Sequence, residues 1–339
     1  MGLGTEDLPP DTAAWQLVTA SWITHAIRTM AVLGLADHLA SGPRSVDELA
    51  AATGTHAPTL ARVLRALVAL DVCAWVEGDR VRLTPVGAYL RRDVPGSLHP
   101  FAIGIMAPFI ERAWHALPEA VRTGRAVFSR VHGLGFWDYL AAQPEEGARF
   151  DAAMSGGAER ARMLMELRDL SSLTTLVDVG GGQGRLLATA LAATPHLRGI
   201  LFDQPQVIAR AEPILTAAGV RERCTLVGGD FFAEVPAGGD AYVLASIIHD
   251  WPDEEALAIL GACYRAMRPG ARIWLIGQIL ATGDGDPFAP LLDLLMLTLF
   301  GAQERTAAEY QVLLEAAGFT AVAVFRGEDT WGVVEAVRP

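Results

Sequence analysis

The chain has 339 residues, 51% of them hydrophobic and 19% charged, which is long enough for two domains with separate cores. Its formal net charge of −12 argues against nucleic acid as a partner, because nucleic-acid binding needs clustered positive charge. Cys73, Cys224 and Cys263 are isolated and lack the spacing of metal ligands, so we expect free thiols, no metal and a cytoplasmic location. The most apolar run, residues 290–300, contains Asp293 and is too short to span a bilayer, so no membrane partner is expected.

The N-terminal part, residues 12–100, is predicted to be a mostly helical domain. Apolar residues between positions 12 and 39 predict a long helix that breaks near Gly34. These residues occupy more than one face of the helix, so the domain itself cannot cover all of them. We therefore expect a homodimer in which this segment packs on the other subunit.

A winged-helix arrangement is predicted in the same domain. Ser45 and Glu48 have the spacing of a capping box and mark the start of a second helix, and residues 57–70 predict a third. Short strands near 72–76 and 81–83 predict a hairpin. DNA binding would need basic residues on the third helix, which offers only two arginines. We expect dimerisation instead.

Residues 101–165 are predicted to form a helical linker that contributes to a substrate pocket. Large, soft side chains are concentrated in this segment, and such side chains line apolar cavities as well as cores. Residues of the apolar run at 290–300 are expected to face the same cavity. The expected pocket residues are Phe109, Trp137, Met154, Leu292 and Met296.

Residues 166–339 predict an α/β domain with a parallel, doubly wound sheet, because strands and helices alternate regularly there. The last two strands lie close together in sequence and predict an antiparallel hairpin at one edge. The expected strands are 174–179, 199–202, 224–227, 241–245, 273–276, 321–325 and 332–336. Because ligands bind beyond the carboxyl ends of such strands, we expect the residues at those ends to converge. These residues are Gly180, Asp203, Asp230 and Ser246.

A glycine turn after the first of these strands predicts a nucleotide-like ligand. Gly180, Gly182 and Gly184 permit positive φ and close approach of a ligand, and the next helix begins with free N–H groups. The G-x-G-x-G pattern departs from the dinucleotide fingerprint, since Arg185 occupies the third-glycine position. Asp203, which ends the second strand, can accept hydrogen bonds from both ribose hydroxyls. An adenosyl ligand without a phosphate is therefore expected, and S-adenosylmethionine (SAM) is the common one.

Two further strand ends carry polar side chains that suit a ligand and a reaction. Asp230 lies between glycines and Phe231, so its carboxylate can accept from an adenine amino group while a ring packs on the base. His249 follows the fourth strand, where a neutral imidazole can take a proton from a phenol or another hydroxyl. A structural histidine that caps the turn is the alternative.

Residues 12–338 resemble the plant-type and bacterial small-molecule O-methyltransferases, and in character the aromatic polyketide O-methyltransferases. Five motifs carry the resemblance in order and spacing: VDVGGGQG at 177–184, FDQP at 202–205, GDFF at 229–232, HDWPDE at 249–254 and ERT at 304–306. The resemblance implies a Rossmann-like, seven-stranded class I methyltransferase domain at 166–339, preceded by a winged-helix dimerisation domain.

The resemblance also implies how SAM would be bound. The glycine backbone would contact the methionine end, Asp203 the ribose, and Asp230 with Phe231 the adenine. The full set of implied cofactor residues is Gly180, Gly182, Asp203, Gln204, Gly229, Asp230, Phe231 and Ser246. In the same way, His249 would be the general base and Glu304 the carboxylate that orients its ring, with help from Asp250.

Two departures from the family pattern concern this site. Many members carry a second Glu at the end of the fifth strand, where this chain has Gly277 followed by Gln278. Plant enzymes often have a Lys on the fourth strand near the cofactor, where this chain has Ala245 or Ser246. Orientation of the base would therefore depend mainly on Glu304.

The expected reaction is methylation of a phenolic hydroxyl on a polycyclic aromatic polyketide, since the expected pocket is broad, uncharged and rich in aromatic side chains. N- or C-methylation of another secondary metabolite is the nearest alternative. Some relatives with eroded sites catalyse hydroxylation or pericyclic steps, but the presence of His249 favours methylation. A winged-helix regulator that responds to an adenosyl ligand is the alternative from a different class.

Overall fold

The computed structural model of the chain describes residues 8–154, 157–281, 287–327 and 330–339. The chain forms two compact units. The first contains Met1–Glu111 and Leu140–Met154, and the second contains Arg112–Tyr139 and Ser155–Pro339. The segment predicted as a linker, residues 101–165, is thus shared between them. Within the described ranges, no helix combines the length and the apolar character that a membrane span requires.

The first unit contains the predicted winged-helix pattern. Its elements are α1 (Pro10–Val32), α2 (Leu35–His38), β1 (Arg44–Ser45), α3 (Val46–Thr53), α4 (Ala57–Ala69), β2 (Cys73–Trp75), β3 (Arg80–Leu83), α5 (Pro85–Ala88) and α6 (His99–Gly104). The three strands form an antiparallel sheet in the order β1-β3-β2. The predicted break at Gly34 is confirmed, since this residue has φ 63° between α1 and α2.

Local sequence signals position the helices of this unit. Both bonds of the predicted capping box are present: Glu48 N donates to Ser45 Oγ (3.2 Å) and Ser45 N donates to Glu48 Oε2 (2.8 Å). In α4, Leu60, Leu64 and Leu67 are buried at a spacing of one helical turn and form part of the core of this unit. The apolar periodicity that predicted α4 therefore also determines which face packs inward.

Helix α1 presents large apolar side chains to solvent. Its buried residues are Met30 and Ala31, both close to its C-terminal end. The exposed ones are Trp15, Leu17, Val18, Trp22, Ile23 and Val32. An exposed apolar surface of this extent marks a site of protein association, which agrees with the predicted homodimer.

Six short helices follow α6 in sequence and precede the strands of the second unit. They are α7 (Pro108–Trp114), α8 (Leu117–Thr123), α9 (Phe128–His132), α10 (Phe136–Ala142), α11 (Pro144–Ala153) and α12 (Gly157–Leu167). Helix α11 packs on α6 within the first unit. Gly124 and Gly133 end α8 and α9 in the left-handed conformation.

The second unit is built around the predicted α/β sheet. Its strands are β4 (Thr175–Val179), β5 (Arg198–Asp203), β6 (Cys224–Gly228), β7 (Ala241–Ala245), β8 (Arg272–Leu280), β9 (Arg305–Thr306), β10 (Thr320–Arg326) and β11 (Trp331–Val337). Its further helices are α13 (Arg185–Ala193), α14 (Pro205–Ile208), α15 (Glu212–Ala217), α16 (Asp253–Ala266), α17 (Phe288–Phe300) and α18 (Ala307–Ala316), with 3₁₀ turns at Arg221–Arg223 and Ile248–Asp250.

The strand order is β10-β11-β8-β7-β4-β5-β6, and the short β9 pairs with β8. Strands β4 to β8 are mutually parallel, whereas β10 and β11 form the predicted antiparallel hairpin at one edge. Successive residues of β4 enter different cores: Val177 packs with α16 and α18, and Leu176 packs with α12 and α13. Because both faces are covered, ligands can reach the sheet only beyond its strand ends.

We predict that replacing Trp15 and Trp22 together with serine converts a dimer into a monomer. The two side chains are 65% and 67% exposed, and an indole buries about 150–250 Å² in an interface. Light scattering coupled to size exclusion measures the mass. Val121→Ser, which changes an exposed apolar residue on α8, is the matched control. A double variant that keeps the wild-type mass would contradict the role given to α1.

Candidate active site

The glycine turn after β4 is packed on its inner side and open on the other. Gly180, Gly182 and Gly184 have φ values of 69°, 60° and 78°, which favour glycine. A Cβ on Gly181 would lie 2.5 Å from both Asp178 Cγ and Leu201 Cδ1, whereas a Cβ on Gly182 would meet nothing within 4 Å. The turn therefore exposes backbone at Gly182 for the close approach of a ligand.

Asp203, at the end of β5, is bound to this turn. Its Oδ2 accepts a hydrogen bond from Gly182 N (2.8 Å), and its Oδ1 accepts one from Gln204 N (2.7 Å). Its backbone carbonyl accepts from Gly229 N (3.0 Å), which connects the end of β6 to the same place. The predicted convergence of these strand ends is present in the structure.

The residues after β6 place aromatic rings beside the turn. Asp230 Oδ1 accepts from Phe232 N (2.9 Å), and this bond shapes the loop. The ring of Phe231 lies edge-on to Phe232 and to Trp251, at centroid distances of 5.0 and 5.8 Å. A Cβ on Gly180 would be 3.8 Å from Phe231 Cε1, so this ring borders the glycine turn.

Ser246 holds a strained conformation at the end of β7. Its φ of 57° is rare for a residue with a side chain. Its N–H donates to Ile276 O (2.8 Å), while its Oγ is buried and has no hydrogen-bond partner among the described residues. A strained backbone together with an unsatisfied hydroxyl indicates a position that is arranged for a ligand.

His249 lies on the 3₁₀ turn after β7 and pairs with Glu304, 55 positions further along the chain. Its Nδ1 is 2.6 Å from Glu304 Oε1, and its Nε2 is 3.5 Å from Asp250 Oδ1. All three side chains are buried. The family resemblance implied that Glu304 orients the ring of His249, and the two side chains are in contact in the structure.

Neighbouring carboxylates raise the pKa of His249. Burial alone disfavours the imidazolium, but the charges of Glu304 and Asp250 outweigh it and raise the pKa of His249 to about 9. Burial raises the pKa of Asp250 to about 7; Glu304 adds to this effect, while His249 opposes it. The Glu304 bond occupies Nδ1, so in the neutral ring Nε2 is the nitrogen that can accept a proton.

Arg305, for which no role was predicted from the sequence, fixes the turn that carries His249. Its guanidinium is buried and donates to Ile248 O (3.0 Å), Trp251 O (2.9 Å) and Asp253 Oδ1 (2.6 Å). These bonds join β9 to both ends of the turn that carries His249. The family motif ERT at 304–306 contains Arg305, but the motif does not indicate which backbone carbonyls its guanidinium binds.

Arg160 on α12 is a second functional candidate that sequence reasoning missed. Its guanidinium lies over the Trp331 ring, 5.0 Å from the centroid. Burial lowers the pKa of Arg160, whereas the charges of Glu159, Asp250 and Asp178 oppose that effect. It thus supplies positive charge near both the glycine turn and the catalytic cluster. No sequence signal marks it, because an arginine on a surface-type helix is ordinary.

Asp178, behind the glycine turn, is the negative counterpart of Arg160. Burial raises the pKa of Asp178 to about 7; the charge of Asp203 adds to this rise, while Arg160 counteracts it. Two carboxylates thus lie close to the turn, and a cationic ligand group there would favour their charged forms.

The predicted pocket residues are distributed over both units. Phe109 and Met154 belong to the first unit, and Trp137, Leu292 and Met296 belong to the second. Within the second unit, the Trp137 ring stacks on Phe300 with a centroid distance of 5.6 Å and an interplanar angle of 20°. Phe300, the last residue of α17, was not among the predicted pocket residues.

The position on β8 where many family members carry a second Glu has no charged side chain in this chain. Gly277 contributes no side chain, and a Cβ there would be 3.5 Å from Tyr310 Oη. Gln278 is fully buried, and its Oε1 accepts a hydrogen bond from Thr330 Oγ1. Neither residue provides a carboxylate to His249.

Comparison with known proteins identifies the family of both units. An O-methyltransferase dimerisation domain matches residues 15–93, and an O-methyltransferase domain matches residues 114–320. A phenazine O-methyltransferase from Lysobacter antibioticus is 40% identical over 333 residues, covering 98% of this chain and 97% of that relative. An 8-amino-8-demethylriboflavin N,N-dimethyltransferase from Streptomyces davaonensis is 36% identical over 318 residues, covering 92% and 91% of the two chains. The crystal structure of human N-acetylserotonin methyltransferase in complex with SAM has a TM-score of 0.90 and 25% identity, covering 99% of both chains.

Asp203→Ala is predicted to weaken SAM binding at least tenfold, about 1.4 kcal/mol. The change removes a carboxylate that can accept from ribose hydroxyls and that also holds Gly182 N in place. Titration calorimetry measures the affinity. Asp79→Ala, at the exposed tip of the β2–β3 hairpin, is the control. An unchanged dissociation constant for Asp203→Ala would refute the assigned ribose contact.

Proposed function

This chain belongs to the O-methyltransferase family and uses SAM, and from that premise we propose that it methylates a phenolic hydroxyl of a polycyclic aromatic metabolite with His249 as general base. The observation that carries the proposal is the 2.6 Å contact between His249 Nδ1 and Glu304 Oε1 at the end of β7. A base oriented in this way is what removal of a hydroxyl proton requires.

The residues present fit the cofactor. Gly182 offers open backbone for a close approach, and Asp203 offers its carboxylate to the ribose hydroxyls. We assign the adenine to Phe231, whose ring borders the turn, and to Asp230, which precedes it. Arg160, whose charge acts on Asp178 behind the turn, is suited to a carboxylate at the methionine end. SAM supplies an electrophilic methyl group on a positively charged sulfur.

His249 then has a limited chemical task. Its Nε2 accepts the proton of the acceptor hydroxyl while Glu304 stabilises the imidazolium that forms. An ordinary phenol has a pKa near 10, as tyrosine does, so a base with a pKa of about 9 is well matched to it. Positioning of the acceptor oxygen supplies the remainder of the rate.

The acceptor class is inferred from the aromatic side chains of the second unit. Trp137, Phe136 and Phe300 form a contiguous group, with Trp137 and Phe300 stacked face to face. Planar rings suit a flat, polycyclic acceptor because offset stacking is favourable between such groups. The phenazine acceptor named for the Lysobacter relative has this shape, and a polyketide phenol would share it.

Methylation of an aromatic amine is the second candidate, because a relative at 36% identity is an N,N-dimethyltransferase. The His249–Glu304 pair favours oxygen. A neutral aromatic amine attacks through its lone pair and loses its proton afterwards, so it depends less on a base that acts during transfer.

The proposal is tested by mass spectrometry with SAM and a panel of hydroxylated and aminated polycyclic aromatics, phenazines and anthraquinones among them. We expect a mass increase of one methylene on phenols, with the new methyl located on oxygen by NMR. Exclusive methylation of amines would favour the second candidate. A product that gains oxygen, or an isomer of unchanged mass, would contradict methyl transfer.

His249→Gln is predicted to retain SAM binding and to lower kcat by about two decades. In the wild type, kcat/KM for the acceptor should rise with pH through a midpoint near 9 and level off above that pH, because His249, whose pKa is raised to about 9, must lose its proton to act. The His249→Gln variant should lose this rise of kcat/KM with pH. Since a phenol also ionises, the profile is measured with two acceptors of different acidity. If the midpoint of the rise follows the acidity of the acceptor, or if His249→Gln turns over at the wild-type rate, His249 is not the base.

A further inference from the structure

Asp293 is the one charged residue of helix α17, Phe288–Phe300, which is otherwise apolar except for Thr298. Its side chain is partly buried, and α17 packs on the 3₁₀ turn that carries His249. A carboxylate on an apolar, packed helix is costly unless it is hydrogen-bonded. The position of Asp293 therefore calls for a partner.

That partner is the backbone of Glu304. After α17 the chain reverses at Gly301, whose φ is 67°, and runs back along the helix. Ala302 N donates to Met296 O (3.4 Å), and Glu304 N then donates to Asp293 Oδ1 (2.7 Å). The side chain of Asp293 thus binds the segment that enters β9 at the residue that contacts His249.

This bond acts on Glu304 from the side opposite to the hold of Arg305, which ties the next residue to the carbonyls of Ile248 and Trp251. Glu304 Oε1 contacts His249 Nδ1 at 2.6 Å, whereas its Oε2 has no hydrogen-bond partner among the described residues. Since the carboxylate has no second side-chain anchor there, its place beside the imidazole depends on where its backbone is held.

The charges of the two carboxylates do not favour this arrangement. Burial raises the pKa of Asp293; the bond from Glu304 N opposes the rise, and the charge of Glu304 adds to it. The hydrogen bond therefore keeps side by side two groups whose charges repel each other. What Asp293 contributes is its acceptor oxygen, and its charge is dispensable.

We propose that Asp293 is a positioning residue, whose Oδ1 holds the backbone of Glu304 and so sets where the Glu304 carboxylate meets His249. The inference rests on the proposed function, because it concerns the orientation of the proposed base. Asp293 acts through Glu304, not by touching the acceptor. Phe300, on the same helix, belongs to the aromatic group proposed for the acceptor, so the bond also ties the base to that group.

Two substitutions separate the hydrogen bond of Asp293 from its charge. Asp293→Leu removes both and suits an apolar helix, whereas Asp293→Asn keeps an acceptor oxygen and removes the charge alone. In Asp293→Leu we expect kcat to fall about ten- to hundredfold with SAM affinity unchanged. The midpoint of the rise of kcat/KM with pH should move lower by about half a unit or more, because Glu304 is less firmly held beside His249. Asp293→Asn should keep kcat within about threefold and leave the midpoint in place.

Three results would overturn the proposal. If Asp293→Asn loses as much activity as Asp293→Leu, the charge and not the hydrogen bond is what matters. If Asp293→Leu is slower with an unmoved midpoint, or changes only KM for the acceptor, the role is merely structural. Wild-type rate and pH profile in Asp293→Leu would show that the bond has no role.

A control and a measurement without substrate complete the test. Thr298→Val removes a polar group from the same helix, where the hydroxyl donates to Leu294 O (2.7 Å), and it should change neither kcat nor the midpoint. NMR titration of the His249 imidazole reports the shift even if methylation of phenols fails. A titration that Asp293→Leu leaves unshifted rejects the role of Asp293 separately, whereas a shift in Asp293→Leu that is absent from Asp293→Asn supports it whatever the acceptor is.

Discussion

The candidate active site depends on the buried guanidinium of Arg305, which holds together two segments that lie far apart in the chain. By donating to the carbonyls of Ile248 and Trp251, it attaches β9 to the turn that carries His249. Glu304, its immediate neighbour, is thereby brought to 2.6 Å from the imidazole. A buried arginine whose donors are directed at backbone oxygens fixes position more firmly than a surface ion pair, because its charge would be costly to leave unpaired. The basicity of His249 follows from this arrangement.

The fold and the proposed cofactor-binding residues could be predicted largely from local sequence. The glycine turn, Asp203 and the capping box at Ser45 are signals within a few residues of the structures they determine, and alternating strands and helices identified the sheet. The short β9 was missed because two residues carry no periodicity. Its pairing with β8 is a tertiary contact.

The partners of His249 could not be predicted from local patterns. Glu304 was found only through resemblance to a family, since nothing near it in sequence refers to His249. Arg160 lies on a helix where a charged residue usually faces solvent, and only the packing of the second unit shows that it is near Asp250 and Asp178. Burial makes such an ordinary residue a functional candidate, and burial is a property of the whole fold.

The central claim is that Glu304 makes His249 a strong base, and NMR titration of the His249 imidazole in ¹⁵N-histidine-labelled protein tests it most directly. The account predicts a pKa of about 9 for His249 in the wild type and a clearly lower value in Glu304→Gln, where the charge is removed while the shape is kept. A wild-type pKa at or below the ordinary value of about 6.5, or a value that Glu304→Gln leaves unchanged, would contradict it.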